Sequence, residues 1–414
     1  MKIAPGTPLS VSLHWDADDI QLVGRLAYRD RIAYLEYDEG FQRAGLELSP
    51  VHHKVAPGLQ KPYQTGVFEG LHGVFNDSLP DGWGRLLIDR RARQLGIGPA
   101  TLTPLDRLAC VGASGIGALC YAPETEIWKA PDGQLDLDEL AQDARRVLDG
   151  EVGDLLSILG KVGGSPGGAR PKALIAVGEG GHAVHGTDDV PDGYAHYLVK
   201  FQGHGDPEDI AAIEMAYAVM AKDAGIEMPE TRLLEGAAGK RYFAARRFDR
   251  VGRRRVHVHS ASGLLYSDIR IPALDYKDLI LLTRAVTRDQ RQCQAMFTLA
   301  VFNVLAHNRD DHARQFSYIM ERDGTWRLAP AYDLTWASGP GGEHSTSVLG
   351  HGRDITRKHL TELAKKADVK PQEAAEIIER VKDAVAKWPA LAREYGVGEE
   401  SARMIEKSLA EVRV

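Results

Sequence analysis

Between Leu9 and about Tyr37, apolar and polar residues alternate in the short runs LSVSLHW, IQLVGRLAY and RIAYLEY, broken by DADD and RDR. Period-two alternation with polar breaks predicts antiparallel hairpins. The pattern changes at FNDSLPDGWGRLLIDRRARQLG, where Pro80, Asp81 and Gly82 precede Leu86, Leu87 and Ile88 above an arginine-rich face. This predicts a turn entering a helix. The glycine-rich VGASGIGALCY predicts a strand pair closing the first unit near Tyr121, and PETEIWKAPDGQ, with two prolines and no sustained period, predicts a linker.

Helical spacing returns around Leu137 to Leu148, followed by EVGDLLSILG and the glycine-rich KVGGSPGGARPKALIAV, whose Ala173 to Val177 read as a buried strand. AHYLVKF predicts a second strand carrying Lys200. In DPEDIAAIEMAYAVMAKDAGIEMP, Asp206 is the expected N-cap with Pro207 at the first helical position, and Gly225 and Pro229 mark the exit. Strands around LLEG and YFAARRF complete a small sheet. From about Tyr276 onward, KDLILLTRAV, QCQAMFTLAVFNVLAH, KPQEAAEIIERVKDAVAKW and EESARMIEKSLAEV all keep three-to-four spacing. The expected class is α+β: a β-rich N-terminal domain over 1–125, a small α/β lobe over 126–250 and a helical lobe over 251–414.

Composition narrows the function classes. With 51 basic and 58 acidic residues among 414, the formal charge is −7, which argues against a chain whose main task is holding bulk nucleic acid. The three cysteines, Cys110, Cys120 and Cys293, form no C-x-x-C pair, so no disulfide framework or cysteine zinc site is expected. The start, MKIAPGTPLSVSLHW, lacks a signal-peptide core and no run reaches membrane-spanning length, so a cytoplasmic protein is expected.

The strongest chemical signal is NRDDHARQFSYIM, Asn308 to Met320, followed past a short hairpin by LAPAYDLT with Asp333. Metal-assisted phosphoryl transfer requires a carboxylate to take the proton of an attacking hydroxyl, here Asp310, and oxygen ligands for magnesium, here Gln315 and Asp333. The spacing matches the H-R-D-x-x-x-x-N loop of protein kinases, with Asn308 in place of histidine and Gln315 where asparagine is usual; Tyr332 to Leu334 stand for Asp-Phe-Gly. The alternative is a loop whose aspartates merely satisfy turn backbone. Upstream, Lys200 on an apolar strand and Glu214 on the next helix match a phosphate-holding lysine and its orienting glutamate. Each alone also reads as a solvated charge.

Before them, GGSPGGAR, Gly163 to Arg170, offers glycine backbone amides to an anion, or is a plain surface turn. It contains G-x-S-x-G, but that hydrolase elbow runs from strand into helix, whereas here a strand follows. AARRFDRVGRRRVHVHS holds six arginines between Arg246 and Arg255, suited to an acidic partner or to a solvated hairpin. His257 and His259 share a strand face, which marks either a metal site lacking a clear third ligand or a structural pair.

Taken together, FNDSLPDGWGR, GASGIGALCY, SPGGARPKAL, YLVKF, RRFDR, NRDDHARQF and PAYDL resemble the HipA-type serine/threonine kinases, toxins of bacterial toxin-antitoxin pairs, over nearly the whole chain. The resemblance implies a two-lobed protein-kinase-like core with ATP and Mg2+ as cofactors. It implies Asp310 as catalytic base, Gln315 and Asp333 as metal ligands, and Lys200 as the phosphate-contacting lysine. His312 and Arg314 would line the nucleotide site, and Gly167, Gly168, Ala169, Arg170, Pro171 and Lys172 would form the ATP loop. Arg246, Arg247 and Phe248 would sit at the hinge near the adenine, with Arg246 standing where a glutamate is often found. Ser165 matches a loop serine that members autophosphorylate to silence the enzyme.

The resemblance further implies a protein substrate, an aminoacyl-tRNA synthetase with the glutamyl enzyme favoured, and a neutralising helix-turn-helix antitoxin of the HipB type. DNA would be reached only through that antitoxin. Two other classes share the ATP motifs: a small-molecule phosphotransferase, and a catalytically silent nucleotide-binding regulator.

Overall fold

The N-terminal alternation folds into a meander of β1 (Leu9–His14), β2 (Ile20–Arg29) and β3 (Ile32–Tyr37). Leu9 pairs with Leu26, and Leu26 with Leu35. In β1 every second residue is buried, as the period requires. The five-stranded sheet runs β4-β3-β2-β1-β5, with β4 at Leu59–Gln60 and β5 at Leu119–Ala122. The computed structural model describes residues 2–3, 7–125, 127–128, 133–151, 158–161, 168–186, 190–237, 239–412 and 414.

Two sequence expectations change here. VGASGIGALCY is not a strand pair: α2 (Pro104–Val111), capped by a Thr103–Asp106 capping box, leads into a glycine turn, and only β5 pairs, with β1. The turn backbone is occupied instead by arginine side chains: Arg250 Nη2 donates to Gly115 O at 2.9 Å and Arg250 Nη1 to Gly117 O at 2.8 Å. The segment read as a linker is tied to the core, since Ile127 is buried with Ile88, Ala92 and Leu102.

A second sheet places β7 (Ala183–His185), β6 (Lys172–Val177), β8 (Ala195–Lys200) and β9 (Arg241–Arg246) side by side. All six residues of β6 are buried. Against it lie α3 (Leu137–Leu148), which buries Leu137, Leu140, Ala144 and Val147 at helical spacing, and α1 (Gly82–Gln94), which contributes Trp83 and Leu87. One apolar core therefore joins the N-terminal helix to the sheet that follows.

The chain forms two compact units. One takes Met1–Asp206, Leu234–His259 and Ile319–Gly324; the other takes Pro207–Leu233, Ser260–Tyr318 and Thr325–Val414. The second is helical, built from α4 (Ile210–Asp223), α5 (Tyr276–Thr287), α6 (Gln290–Leu305), α7 (Arg357–Lys366), α8 (Pro371–Val385), α9 (Trp388–Tyr395) and α10 (Glu399–Ala410). From Met296 to Leu305, α6 is buried throughout. The cap of α4 differs from expectation. Asp209 occupies the N-cap, while the Asp206 carboxylate accepts from Gly203 N at 2.8 Å and pairs with Arg170. No helix among the described residues is long and apolar enough to cross a membrane.

The first unit buries a group of histidines. His53 and His72 lie with ring centroids 4.5 Å apart, and His257 Nε2 meets Leu48 O at 3.1 Å. His259 lies between Asp77, 2.6 Å from its Nδ1, and Ser49, 3.0 Å from its Nε2. The His257–His259 pair is thus a packing element, and among the described residues no three His, Cys, Asp or Glu side chains group to hold a metal. Burial lowers His53 to about 4 and His72 and His257 to about 3. The folded chain keeps these rings neutral while the unfolded chain protonates them near pH ~6.5, so stability rises with pH between those values. The melting temperature is expected to be flat above about pH 7 and to fall steadily below about 6.5. A melting temperature unchanged down to pH ~4.5 would contradict this.

Candidate active site

In the second unit, α6 ends at Leu305 and the chain turns sharply, with His307 at φ 55°. Tyr217 OH fixes the turn by donating to Ala306 O at 2.8 Å. The two aspartates that follow have opposite fates. Asp310 is exposed, whereas Asp311 is wholly buried. Tyr276 OH donates to Asp311 Oδ2 at 2.7 Å, His344 Nδ1 lies 2.9 Å from the same oxygen, and Thr346 N donates to Oδ1 at 3.1 Å. The network continues as Asn308 Nδ2 donates to Asn303 Oδ1 and Asn303 Nδ2 to Tyr276 OH, each at 2.9 Å. Asn308, the residue in the histidine position of the loop, thus serves as an anchor. Asp311, which nothing in the sequence separates from its neighbour, holds the loop that presents Asp310.

A 3₁₀ turn at Ala313–Gln315 closes the loop, Gln315 N donating to His312 O at 2.8 Å. Gln315 Nε2 then donates to Asp333 Oδ2 at 2.9 Å. Tyr332 secures this meeting, its OH donating to Arg314 O at 2.6 Å and lying 2.6 Å from Ser317 Oγ. Asp333 itself sits at φ 57°, in the left-handed region that non-glycine residues rarely adopt, and such conformations gather at functional sites. As placed, Gln315 turns its amide nitrogen to Asp333, so the hard-oxygen donor set that magnesium takes would be completed only when the amide turns its oxygen toward the carboxylate. The longer glutamine side chain reaches Asp333 from the asparagine position. The buried His312 Nδ1 has no hydrogen-bond partner among the described residues, leaving it open to a ligand. Glu214, on α4, is 2% exposed.

In the first unit, Lys172 and Lys200 stand directly opposite each other across the antiparallel β6–β8 pair. Their side chains therefore leave the same face of the sheet at neighbouring positions. Phe243, opposite Lys200 on β9, brings its ring centroid to 5.6 Å from the Lys200 ammonium. Lys172 is buried, and its ammonium lies where a side chain on Gly168 would fall; Gly168 has φ 98°. Two lysines beside glycine backbone fit a polyphosphate.

Arg170 is engaged by Asp206, its Nε 2.8 Å from Oδ2. Ser165, Pro166 and Gly167 lie outside the described residues. At the expected hinge, Arg246 is exposed on β9, Arg247 N donates to His196 O at 2.9 Å and Phe248 is half-buried. The Arg247 side chain is buried on Asp249, with Nε 2.9 Å from Oδ1 and Nη2 2.7 Å from Oδ2, while its buried Nη1 has no hydrogen-bond partner among the described residues.

The sheets, the helical unit and the loop–turn–Asp333 arrangement define an α+β chain with a kinase-like core and an N-terminal β-rich domain. The HipA N-terminal domain matches residues 16–122 and the HipA-like C-terminal domain matches residues 164–388. The chain belongs to the HipA family. Among solved structures it is similar to a chain of the Shewanella oneidensis MR-1 toxin-antitoxin complex of HipA, HipB and operator DNA. The two are 17% identical with a TM-score of 0.67, over 97% of this chain and 95% of the other. The Helicobacter pylori proinflammatory kinase CtkA is 11% identical over 51% of this chain and 92% of its own, with a TM-score of 0.31. A search of the curated proteins found no match.

Proposed function

We propose that this HipA-family chain is an ATP- and magnesium-dependent serine/threonine protein kinase. In this reading it is the toxin of a toxin-antitoxin pair, and its substrate is an aminoacyl-tRNA synthetase, the glutamyl enzyme first among them. The observation that carries the proposal is the division of labour in the 308–315 loop: a buried Asp311 fixes the backbone, an exposed Asp310 faces outward, and Gln315 meets a strained Asp333.

In this reading Asp310 accepts the proton of the attacking serine or threonine hydroxyl. Asp333 and the Gln315 amide oxygen would hold the metal ion, which when bound neutralises charge on the transferring phosphoryl group. Lys172 and Lys200 grip the nucleotide phosphates, with the Ala169 and Arg170 backbone amides beside them. Phosphorylation of Ser165 would silence the kinase by adding charge to the loop that must hold phosphate. The Shewanella complex contains HipB and operator DNA. By that likeness the neutralising partner here is a HipB-type helix-turn-helix antitoxin, through which DNA is reached.

The test is to incubate the purified chain with labelled ATP and magnesium against a panel of aminoacyl-tRNA synthetases, with Asp310→Ala as control. Label is expected on one synthetase and on the chain itself, and to vanish in the variant. If label reaches neither, the protein-kinase reading fails; if it reaches only small hydroxyl compounds, the small-molecule phosphotransferase replaces it.

A further inference from the structure

Asp81 occupies the N-cap of α1, where an aspartate ordinarily accepts from the helix's own first-turn amides and stabilises it. Here its side chain makes no such bond. Instead the carboxylate accepts from Gly168 N, 87 residues later. Three further contacts join the same segments. Trp83 N, one of the first-turn amides of α1, donates to Gly168 O at 3.0 Å. Trp83 Nε1 donates to Lys172 O at 3.2 Å from a ring that is 1% exposed. Gly82, at φ 38°, lies so close to Ala169 that a Cβ would collide with the Ala169 backbone.

From these contacts we infer that the Asp81-Gly82-Trp83 turn of the N-terminal domain positions the nucleotide loop, Asp81 being the residue that pins the Gly168 peptide from which the loop runs on to Lys172. The helix forgoes its own cap, and the aspartate instead pins Gly168, so that the amides beyond it, at Ala169 and Arg170, are set before phosphate arrives. Lys172, whose carbonyl is held by Trp83, is one of the two lysines opposed across β6 and β8. The N-terminal domain is therefore part of the phosphate-binding apparatus. A charge-assisted bond from carboxylate to amide is about twice as strong as a neutral one, which suits a residue that fixes loop backbone.

The inference rests on the nucleotide-binding reading above, and the experiment separates the two. Dissociation constants for magnesium-ATP and for adenosine are measured on the full chain and on Asp81→Ala and Asp81→Asn. Asp81→Ala is expected to weaken ATP about tenfold and leave adenosine within twofold, because only phosphate depends on the loop amides. Asp81→Asn, which keeps an acceptor oxygen but loses the charge, is expected to lie between, at two- to fourfold. It also carries the test should Asp81→Ala lose its folded near-ultraviolet signal. Equal loss for ATP and adenosine would reduce Asp81 to a general structural role and overturn the inference. So would ATP affinity unchanged in both variants. A wild-type chain that binds neither compound overturns the nucleotide reading itself, and this inference with it.

Discussion

Replacing Asp310 by alanine is expected to lower ATP-dependent phosphoryl transfer by about a thousandfold, within the span that a positioned general base supplies. It should change the melting temperature by no more than about 2 °C, since surface substitutions away from buried networks are usually worth within ~0.5 kcal/mol. Asp310 is exposed, so its removal opens no cavity in the core. The adjacent residue gives the contrasting result. Asp311→Ala removes the acceptor shared by Tyr276, His344 and the Thr346 amide, all buried, and should cost of order 3 kcal/mol because buried donors are left unmet. The pair thus separates catalysis from support within two residues. Steady-state transfer rates and thermal melts on both variants decide the matter. Residual activity of Asp310→Ala within tenfold of wild type would remove Asp310 from the role of base.

The strands and helices that were legible from the sequence are those whose burial is periodic and local. β1 and β3 alternate, α3 keeps its three-to-four spacing, and β6 is an unbroken apolar run, so each could be read without knowing its neighbours. What misled was local chemistry recruited by distant residues. The glycine-rich GASGIG reads with the strand that follows it, yet its carbonyls serve Arg247 and Arg250, more than 130 positions later. Asp206 before Pro207 is the better cap by local rules, yet its carboxylate serves Gly203 and Arg170, and Asp209 takes the cap position. Within the site, the spacing from Asp310 to Gln315 was readable because a loop motif is short. The burial of Asp311 was not, since its partners lie at 276, 344 and 346. The link from Asp81 to Gly168 is likewise invisible to any window of sequence.

The largest stability effect is expected at Asp249. Arg247 Nη2 and Arg250 Nη1 both lie 2.7 Å from its Oδ2, with all three side chains no more than 4% exposed. Gly117 N donates to the same oxygen at 2.7 Å. Burial alone would raise this carboxyl's pKa, but the two guanidiniums and their hydrogen bonds outweigh it and hold it well below the ordinary carboxylate range. Asp249→Ala strands two buried cations beside each other, and breaking such a cluster costs about 3 to 5 kcal/mol. Against a total stability of about 5 to 15 kcal/mol that is a large share, so the midpoint of urea unfolding should fall steeply.

The pH dependence distinguishes this from a packing defect. The unfolded aspartate titrates near ~3.9, so the stabilisation is complete above that value and is lost as acid carries the folded carboxyl through its depressed pKa. Wild type and Asp249→Ala should differ most at neutral pH and converge in strong acid. Added salt should barely change the gap, because a buried cluster is poorly screened. Replacing Arg247, Asp249 and Arg250 together by apolar residues should recover only part of the loss. Although an apolar triad is often tolerated in place of buried ions, the Gly115 and Gly117 carbonyls that now accept from the arginines would be left unpaired. A single Asp249→Ala variant with an unchanged urea midpoint would mean that the arginines find other compensation, and the cluster would then hold little of the fold together.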